Sequence, residues 1–81
     1  MTVHIQFFSW FRDLTGCART SETVAPGCTL GELYEKLVLR FPGLASMKKS
    51  VLLAVGVDYQ TRDYVLKEGD EVSLFPPVQG G

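Results

Sequence analysis

Residues 29–43 read TLGELYEKLVLRFPG and form the segment that decides the fold. Thr29 and Glu32 fit a capping box, in which the Thr29 hydroxyl accepts from the Glu32 N–H and the Glu32 carboxylate accepts from the Thr29 N–H. The apolar residues recur at spacings of three and four, and they are Leu30, Leu33, Tyr34, Leu37 and Phe41. Because Pro42 and Gly43 stop a helix, the segment predicts one amphipathic helix with defined ends.

Two strands are predicted before this helix. Residues 3–8 alternate with a period of two, as expected of a strand with one buried face. Its inward positions would be Val3, Ile5 and Phe7. Residues 10–15 predict a helical turn closed by Gly16, and residues 20–25 predict a second strand that ends before Pro26.

Two more strands are predicted after the helix. Residues 51–57 are rich in β-formers and predict the third strand, with Val51, Leu53, Val55 and Val57 on one face. Residues 58–63 are polar and predict a loop, and a turn at residues 67–70 leads into a last strand at residues 71–75. That strand would bury Val72 and Leu74.

This order of elements predicts the fold class. Strand, strand, helix, strand, strand is typical of an α+β protein, in which one main helix packs across one face of a mixed sheet. A chain of 81 residues suffices for one domain with one hydrophobic core. We therefore expect a single domain over residues 1–81, with a flexible C-terminal tail at residues 76–81.

Composition argues against several classes of partner. Eight Lys and Arg balance nine Asp and Glu, and no segment concentrates positive charge, so nucleic acid is not expected to bind. The first residues lack the unbroken apolar run of a signal peptide or membrane span, so we expect no membrane association and a cytoplasmic location. Cys17 and Cys28 lack metal-binding spacing and are expected to be free thiols, with no metal site.

The last seven residues read FPPVQGG and raise a functional question. Pro76 and Pro77 cannot continue a strand and favour an extended chain. The six residues after Phe75 would reach roughly 20 Å. Since glycine has no side chain, Gly80 and Gly81 would pass a channel too narrow for other residues. The tail therefore resembles an arm that carries its α-carboxylate into a buried centre.

A carboxylate needs activation before it can transfer an acyl group, commonly by adenylation. The chain has no phosphate-binding loop of its own, so we expect no bound cofactor, and ATP would be used by an activating partner. His4, the only histidine, is predicted to face solvent, and neither cysteine has a recognisable base nearby. The sequence therefore predicts no catalytic residue of its own.

Aromatic residues mark a surface for such partners. If Val72 and Leu74 point inward, Phe75 points to the open face of the sheet, and Phe8 does the same after the inward Phe7. Should the first and last strands lie parallel and adjacent, the two rings would meet at the root of the tail, with Tyr59 in its loop as a third member. The sequence thus predicts an exposed apolar patch for partner binding.

The whole pattern resembles the MoaD family of ubiquitin-like β-grasp proteins, the small sulfur-carrying subunits of molybdopterin synthase. The resemblance lies in the FF of the first strand, RDLTG, RFPG and LLAV, and above all in the block LKEGDEVSLFPPVQGG. One departure is Gly56, where related sequences commonly have Asn.

This resemblance implies a specific chemistry. An E1-like enzyme would adenylate Gly81, and a sulfur donor such as a cysteine desulfurase or rhodanese would convert the adenylate into a thiocarboxylate. The tail, Pro76, Pro77, Val78, Gln79 and Gly80, would then insert into the large catalytic subunit, in a heterotetramer of two small and two large subunits. There the sulfur would pass to cyclic pyranopterin monophosphate.

Other functions share these features. A sulfur carrier for thiamine or tRNA thiolation, or a ubiquitin-like modifier, would have the same fold and the same Gly-Gly end, although the FPP block favours the molybdopterin branch. A protein-interaction module whose C-terminus is never activated is a further alternative. Removing the last glycine would distinguish that module, since its function would not change.

Overall fold

A computed structural model describes residues 1–77, which form two α-helices, a 3₁₀ helix and five strands. Helices α1 and α2 span Trp10–Thr15 and Leu30–Arg40, and the 3₁₀ helix spans Pro42–Met47. Strands β1 to β5 span, in chain order, Thr2–Phe7, Arg19–Thr23, Leu52–Val55, Asp58–Tyr59 and Glu71–Phe75. Within this part of the chain, no helix is long and apolar enough to cross a membrane.

The strands form one mixed sheet in the order β2-β1-β5-β3-β4. The two central strands, β1 and β5, are parallel, with Ile5 beside Val72 and Phe7 beside Leu74. The other neighbouring strands are antiparallel. Because β1 and β5 run in the same direction, their C-terminal ends lie at the same end of the sheet.

The core lies between one face of this sheet and α2, as the α+β prediction requires. The helix buries Leu30, Leu33, Tyr34 and Leu37, and the central strands bury Val3, Ile5, Phe7, Val72 and Leu74. The Tyr34 hydroxyl donates to the Leu44 carbonyl at 2.7 Å, so this buried ring keeps a hydrogen-bond partner. The predicted inward faces of the first and last strands are confirmed, and so are four of the five predicted positions of the helix. The fifth, Phe41, follows the end of α2 and is partly buried.

The predicted capping box is present at the start of α2. The Glu32 N–H donates to the Thr29 hydroxyl at 3.2 Å, and the Thr29 N–H donates to the Glu32 carboxylate at 2.9 Å. The backbone and side-chain hydrogen bonds from Thr29 hold the pKa of the Glu32 carboxyl below its ordinary value. The box therefore stabilises the folded chain most when Glu32 is ionised.

The Thr29→Ala variant is expected to lower the free energy of unfolding by about 1 kcal/mol at neutral pH, because it removes the cap. Because the pKa of Glu32 is lowered in the folded state, the contribution of Glu32 to the free energy of unfolding is complete above its unfolded-state pKa. This contribution is lost as the pH falls through the folded-state pKa. Denaturant titrations at several pH values should show a difference in unfolding free energy between the variant and the original chain that narrows on acidification. Only the bond from the Thr29 hydroxyl to the Glu32 carboxylate causes this narrowing, because the N–H of residue 29 still donates to Glu32 in the variant. Ser50→Ala, at an exposed position, is the control. A gap that stays constant with pH would contradict this account.

The sequence predicted four strands, and the structure has five. Gly56 adopts a φ of +62° and forms a two-residue turn with Val57, which joins β3 to the short strand β4. The prediction that Val57 belongs to the third strand and shares a face with Leu53 and Val55 was therefore wrong, since β3 ends at Val55 and the Val57 side chain is 98% exposed at the turn. The prediction of a loop at residues 58–63 missed β4. Since glycine and asparagine both tolerate a positive φ, the departure at Gly56 preserves the turn.

Strained backbone lies at Ser9, between β1 and α1. Ser9 has φ +57° and ψ −133°, a conformation that glycine adopts more readily than other residues, and its side chain makes no capping hydrogen bond.

Ser9→Gly is expected to raise the free energy of unfolding by about 1 kcal/mol because it removes this strain. Thermal denaturation would measure the change. Ser21→Gly, in the extended strand β2, is the matched control and should be destabilising. A loss of stability in Ser9→Gly would show that the strain is negligible.

Candidate partner-binding site at the end of β5

Three aromatic side chains meet where the two central strands end, and we call them the aromatic patch: Phe8, Tyr59 and Phe75. The rings of Phe8 and Phe75 stack with centroids 4.6 Å apart and an interplanar angle of 11°. Tyr59 meets Phe75 edge to face, with centroids 6.3 Å apart. Phe8 is 38% exposed, Tyr59 is 67% exposed and Phe75 is half-buried, so the patch is accessible to a partner.

Strand parity explains this arrangement. Phe7 is buried, and the side chain of Phe8, the next residue, points to the opposite face. The Phe8 N–H donates to the Leu74 carbonyl of the neighbouring strand at 3.1 Å. Phe75 follows the buried Leu74 in the same way. The condition stated from the sequence, parallel and adjacent first and last strands, is therefore met. The binding role of the patch stays a prediction.

Two features of the patch differ from the sequence analysis. Tyr59 lies in a strand and not in a loop, and its pairing with Ala54 turns it toward the aromatic rings. Leu52 was not singled out, although it lies directly opposite Phe75 on the same face. The signal was available, because Leu52 alternates with the inward Leu53, but the cross-strand register was needed to place it beside Phe75.

The tail begins at the patch. Pro76 and Pro77 follow Phe75 without regular secondary structure and are half-buried. Since proline has no N–H, the β5 ladder ends there. The other predicted tail positions, Val78, Gln79, Gly80 and Gly81, lie outside the described residues.

The chain has one histidine and two cysteines as candidate catalytic groups. His4 is exposed on β1, as predicted, and Cys17 and Cys28 are free and half-buried. Burial raises the pKa of the Cys28 thiol, with the nearby Glu32 adding to the effect, so the reactive thiolate is disfavoured. Among residues 1–77, no group of three or more His, Cys, Asp or Glu side chains is placed to hold a metal ion.

A mixed five-stranded sheet with one main helix across it, and an apolar patch at the end of its last strand, defines a ubiquitin-like β-grasp protein. The sequence pattern of the ThiS family matches residues 5–81. This chain belongs to the ThiS family.

Curated relatives share a name. The molybdopterin synthase sulfur carrier subunit of Drosophila erecta is 38% identical over 84 residues, covering 100% of this chain and 92% of the relative. The protein of the same name from Arabidopsis thaliana is 30% identical over 79 residues, covering 98% of this chain and 82% of the relative. The resemblance noted from the sequence is thereby confirmed.

Solved structures show the same fold. SAMP1 from Haloferax volcanii, 22% identical, superimposes with a TM-score of 0.89 over 100% of both chains. At that identity it shows the shared fold alone. A complex of subunits 1 and 2 of molybdopterin-converting factor from Helicobacter pylori contains a chain that is 26% identical, with a TM-score of 0.70 and 100% coverage of both chains.

Proposed function

We propose that this chain is a sulfur carrier in molybdenum cofactor biosynthesis and the non-catalytic small subunit of molybdopterin synthase. Its Gly81 carries sulfur as a thiocarboxylate and donates it to cyclic pyranopterin monophosphate. The observation that carries this proposal is the stacked Phe8–Phe75 pair at the root of the tail. The names of the curated relatives support it.

The patch gives the tail a defined starting point. A partner that binds Phe8, Tyr59 and Phe75 holds the protein where Pro76 leaves the sheet. The following residues then need only an extended path to bring the Gly81 carboxylate to a reaction centre of the partner. Rigid anchoring of this kind lowers the entropic cost of positioning a reactive group.

The chemistry proceeds on Gly81 in partners. An E1-like enzyme joins the carboxylate to the AMP part of ATP and releases pyrophosphate. A persulfide sulfur from the donor, a cysteine desulfurase or a rhodanese, then attacks the acyl carbon, and AMP leaves. A thiol cleaves the resulting disulfide and frees the thiocarboxylate. Delivery of the sulfur in the large subunit, followed by hydrolysis, returns Gly81 to a carboxylate.

The large subunit is the acceptor partner in this proposal. The Helicobacter pylori structure, named as a complex of subunits 1 and 2, supports a pairing of this kind. In the assembled enzyme, two small and two large subunits form a heterotetramer. The acid and base catalysis of sulfur transfer belongs to the large subunit.

A second candidate function is that of a ubiquitin-like modifier or of a carrier for another sulfur pathway. The observation that favours it is that the β-grasp fold and a Gly80-Gly81 end are common to sulfur carriers and ubiquitin-like modifiers. Both functions begin with adenylation of the same glycine. They differ in the acceptor, which is cyclic pyranopterin monophosphate in the first function and either the substrate of another sulfur pathway or a lysine side chain in the second.

Intact-protein mass spectrometry tests the proposal. The chain is incubated with an E1-like enzyme, ATP and a sulfur donor, and a parallel sample lacks ATP. We expect a mass increase that corresponds to replacement of one oxygen by sulfur, in the complete sample only. The loaded protein should then produce molybdopterin with the large subunit. No mass increase with an enzyme that loads an established carrier would overturn the proposal, and loading without molybdopterin formation would favour the second candidate.

A further inference from the structure

The two edges of the sheet differ in their accessibility. At the β2 edge, side chains from α2 occupy the outward carbonyls: Lys36 donates to Thr23 at 2.9 Å, and Arg40 donates to Ser21 at 3.1 Å. Arg40 also pairs with Glu22. Charged side chains over an edge prevent another strand from pairing there. This edge of the sheet is therefore closed to strand addition.

The opposite edge is left open by the short length of β4. The Gln60 N–H donates to the Leu53 carbonyl at 3.0 Å, and the chain then turns away from β3. Farther along, the carbonyls of Arg62 and Tyr64 accept from the N–H groups of Gly31 and Leu30, in the first turn of α2, at 2.9 and 2.8 Å. As a result, the Leu53 N–H and the Val51 carbonyl, which face the same edge, have no backbone partner among residues 1–77.

An open groove of about 1140 Å³ lies beside this edge. Its apolar lining comes from Val51, Leu52, Leu53 and Tyr59. Leu52 lies opposite Phe75, and Tyr59 is itself a member of the aromatic patch. The groove is therefore continuous with the patch, and a partner on the patch would reach it without a second docking event.

The groove lining holds three acidic and three basic side chains, so its formal charges balance, and among the described residues Lys49 is the lining cation that no other group contacts. The acidic lining residues are engaged within the chain: Glu32 in the capping box, Glu35 with Lys48, and Asp63 with Thr61. Arg62 donates to the Lys48 carbonyl and lies over the Tyr34 ring. Lys49 lines the groove, is exposed and has no ion-pair partner among residues 1–77.

We propose that this groove receives an extended segment of the large synthase subunit, which pairs with β3 beside Leu52 and places an acidic side chain against Lys49. One residue of that segment would donate its N–H to the Val51 carbonyl and accept from the Leu53 N–H, the pattern of a parallel strand. This inference rests on the proposed function, because the large subunit is the partner that it names.

Binding of the large subunit from the same organism tests the inference. Lys49→Glu is expected to weaken this binding about tenfold, because it sets like charges together. Lys36→Glu, the same charge change on the closed edge, is the matched control and should bind as the original chain does. Circular dichroism and size-exclusion chromatography establish that both variants are folded and monomeric. Amide hydrogen exchange gives an independent readout, and the Leu53 amide should exchange more slowly in the complex.

The outcomes separate this inference from the function on which it rests. If the original chain binds the large subunit, but Lys49→Glu binds equally well and Leu53 exchange is unchanged, the groove is empty and the inference alone is overturned. Weaker binding without Leu53 protection would overturn the strand pairing. If the E1-like enzyme slows exchange of the Leu53 amide and the large subunit does not, the assignment of the large subunit as the occupant of the groove is overturned. If the original chain does not bind the large subunit, both the inference and the proposed function fall.

Discussion

Removal of Gly81 is expected to reduce sulfur loading by at least about a hundredfold, even though the shortened chain still ends in a glycine carboxylate. The physical reason is reach, because one residue fewer withdraws the reactive carbon by about 3.5 Å from the adenylating centre. A displacement of that size takes the carboxylate out of contact with ATP. Mass spectrometry of loaded protein over time measures the effect.

The control for this prediction is the stability of the fold. The buried core described above ends at Leu74, so the deletion variant should unfold at the same denaturant concentration as the original chain. Loading of the folded variant at the original rate would show that the position of the terminal carboxylate is not critical. A protein-interaction module whose C-terminus is never activated would then be the better explanation of this chain's function.

Phe75→Ala is expected to weaken binding of the large subunit by about 1 to 3 kcal/mol, as loss of an aromatic anchor does. The Phe75 ring packs against both Phe8 and Tyr59. Its truncation therefore removes apolar contact area for the partner and also the packing that holds the other two rings in place. Isothermal titration calorimetry would measure the change. The double variant with Phe8→Ala should show a coupling of about 0.5 to 1.5 kcal/mol between the stacked rings.

Leu39→Ala is the matched control, because Leu39 is 84% exposed on α2, away from the aromatic patch. Its loss should leave the affinity unchanged. Equal affinity for Phe75→Ala and the original chain would remove Phe75 from the interface. Thermal denaturation is needed in parallel, since Phe75 is half-buried and pairs with Leu52 across the sheet.

The features that the sequence predicted best are those with a local physical cause. The Thr29–Glu32 capping box depends on residues three apart, and it forms as predicted. The inward faces of β1 and β5 follow from a period of two, which needs no knowledge of the neighbouring strands. For this reason the outward direction of Phe8 and Phe75 was predictable, and only their contact required an assumption about topology.

The features that the sequence missed depend on pairing between strands. Strand β4 has only two residues, Asp58 and Tyr59, and exists because the Gly56 turn folds them back onto β3. Periodicity carried the predicted strand through to Val57, because a valine at a turn position has no local signal against a strand. Leu52 likewise becomes part of the site only through its register with Phe75.

The central position of β5 has a mechanical consequence. This strand lies between β1 and β3 and is bonded to both, while the tail continues directly from its end. A force applied to the tail along β5 acts on the hydrogen bonds to both β1 and β3 at once. A strand at the edge of the sheet has only one neighbour, so only one set of hydrogen bonds would resist the same force. Under the proposed function, this central position would keep β5 paired in the sheet while the tail is withdrawn from the large subunit.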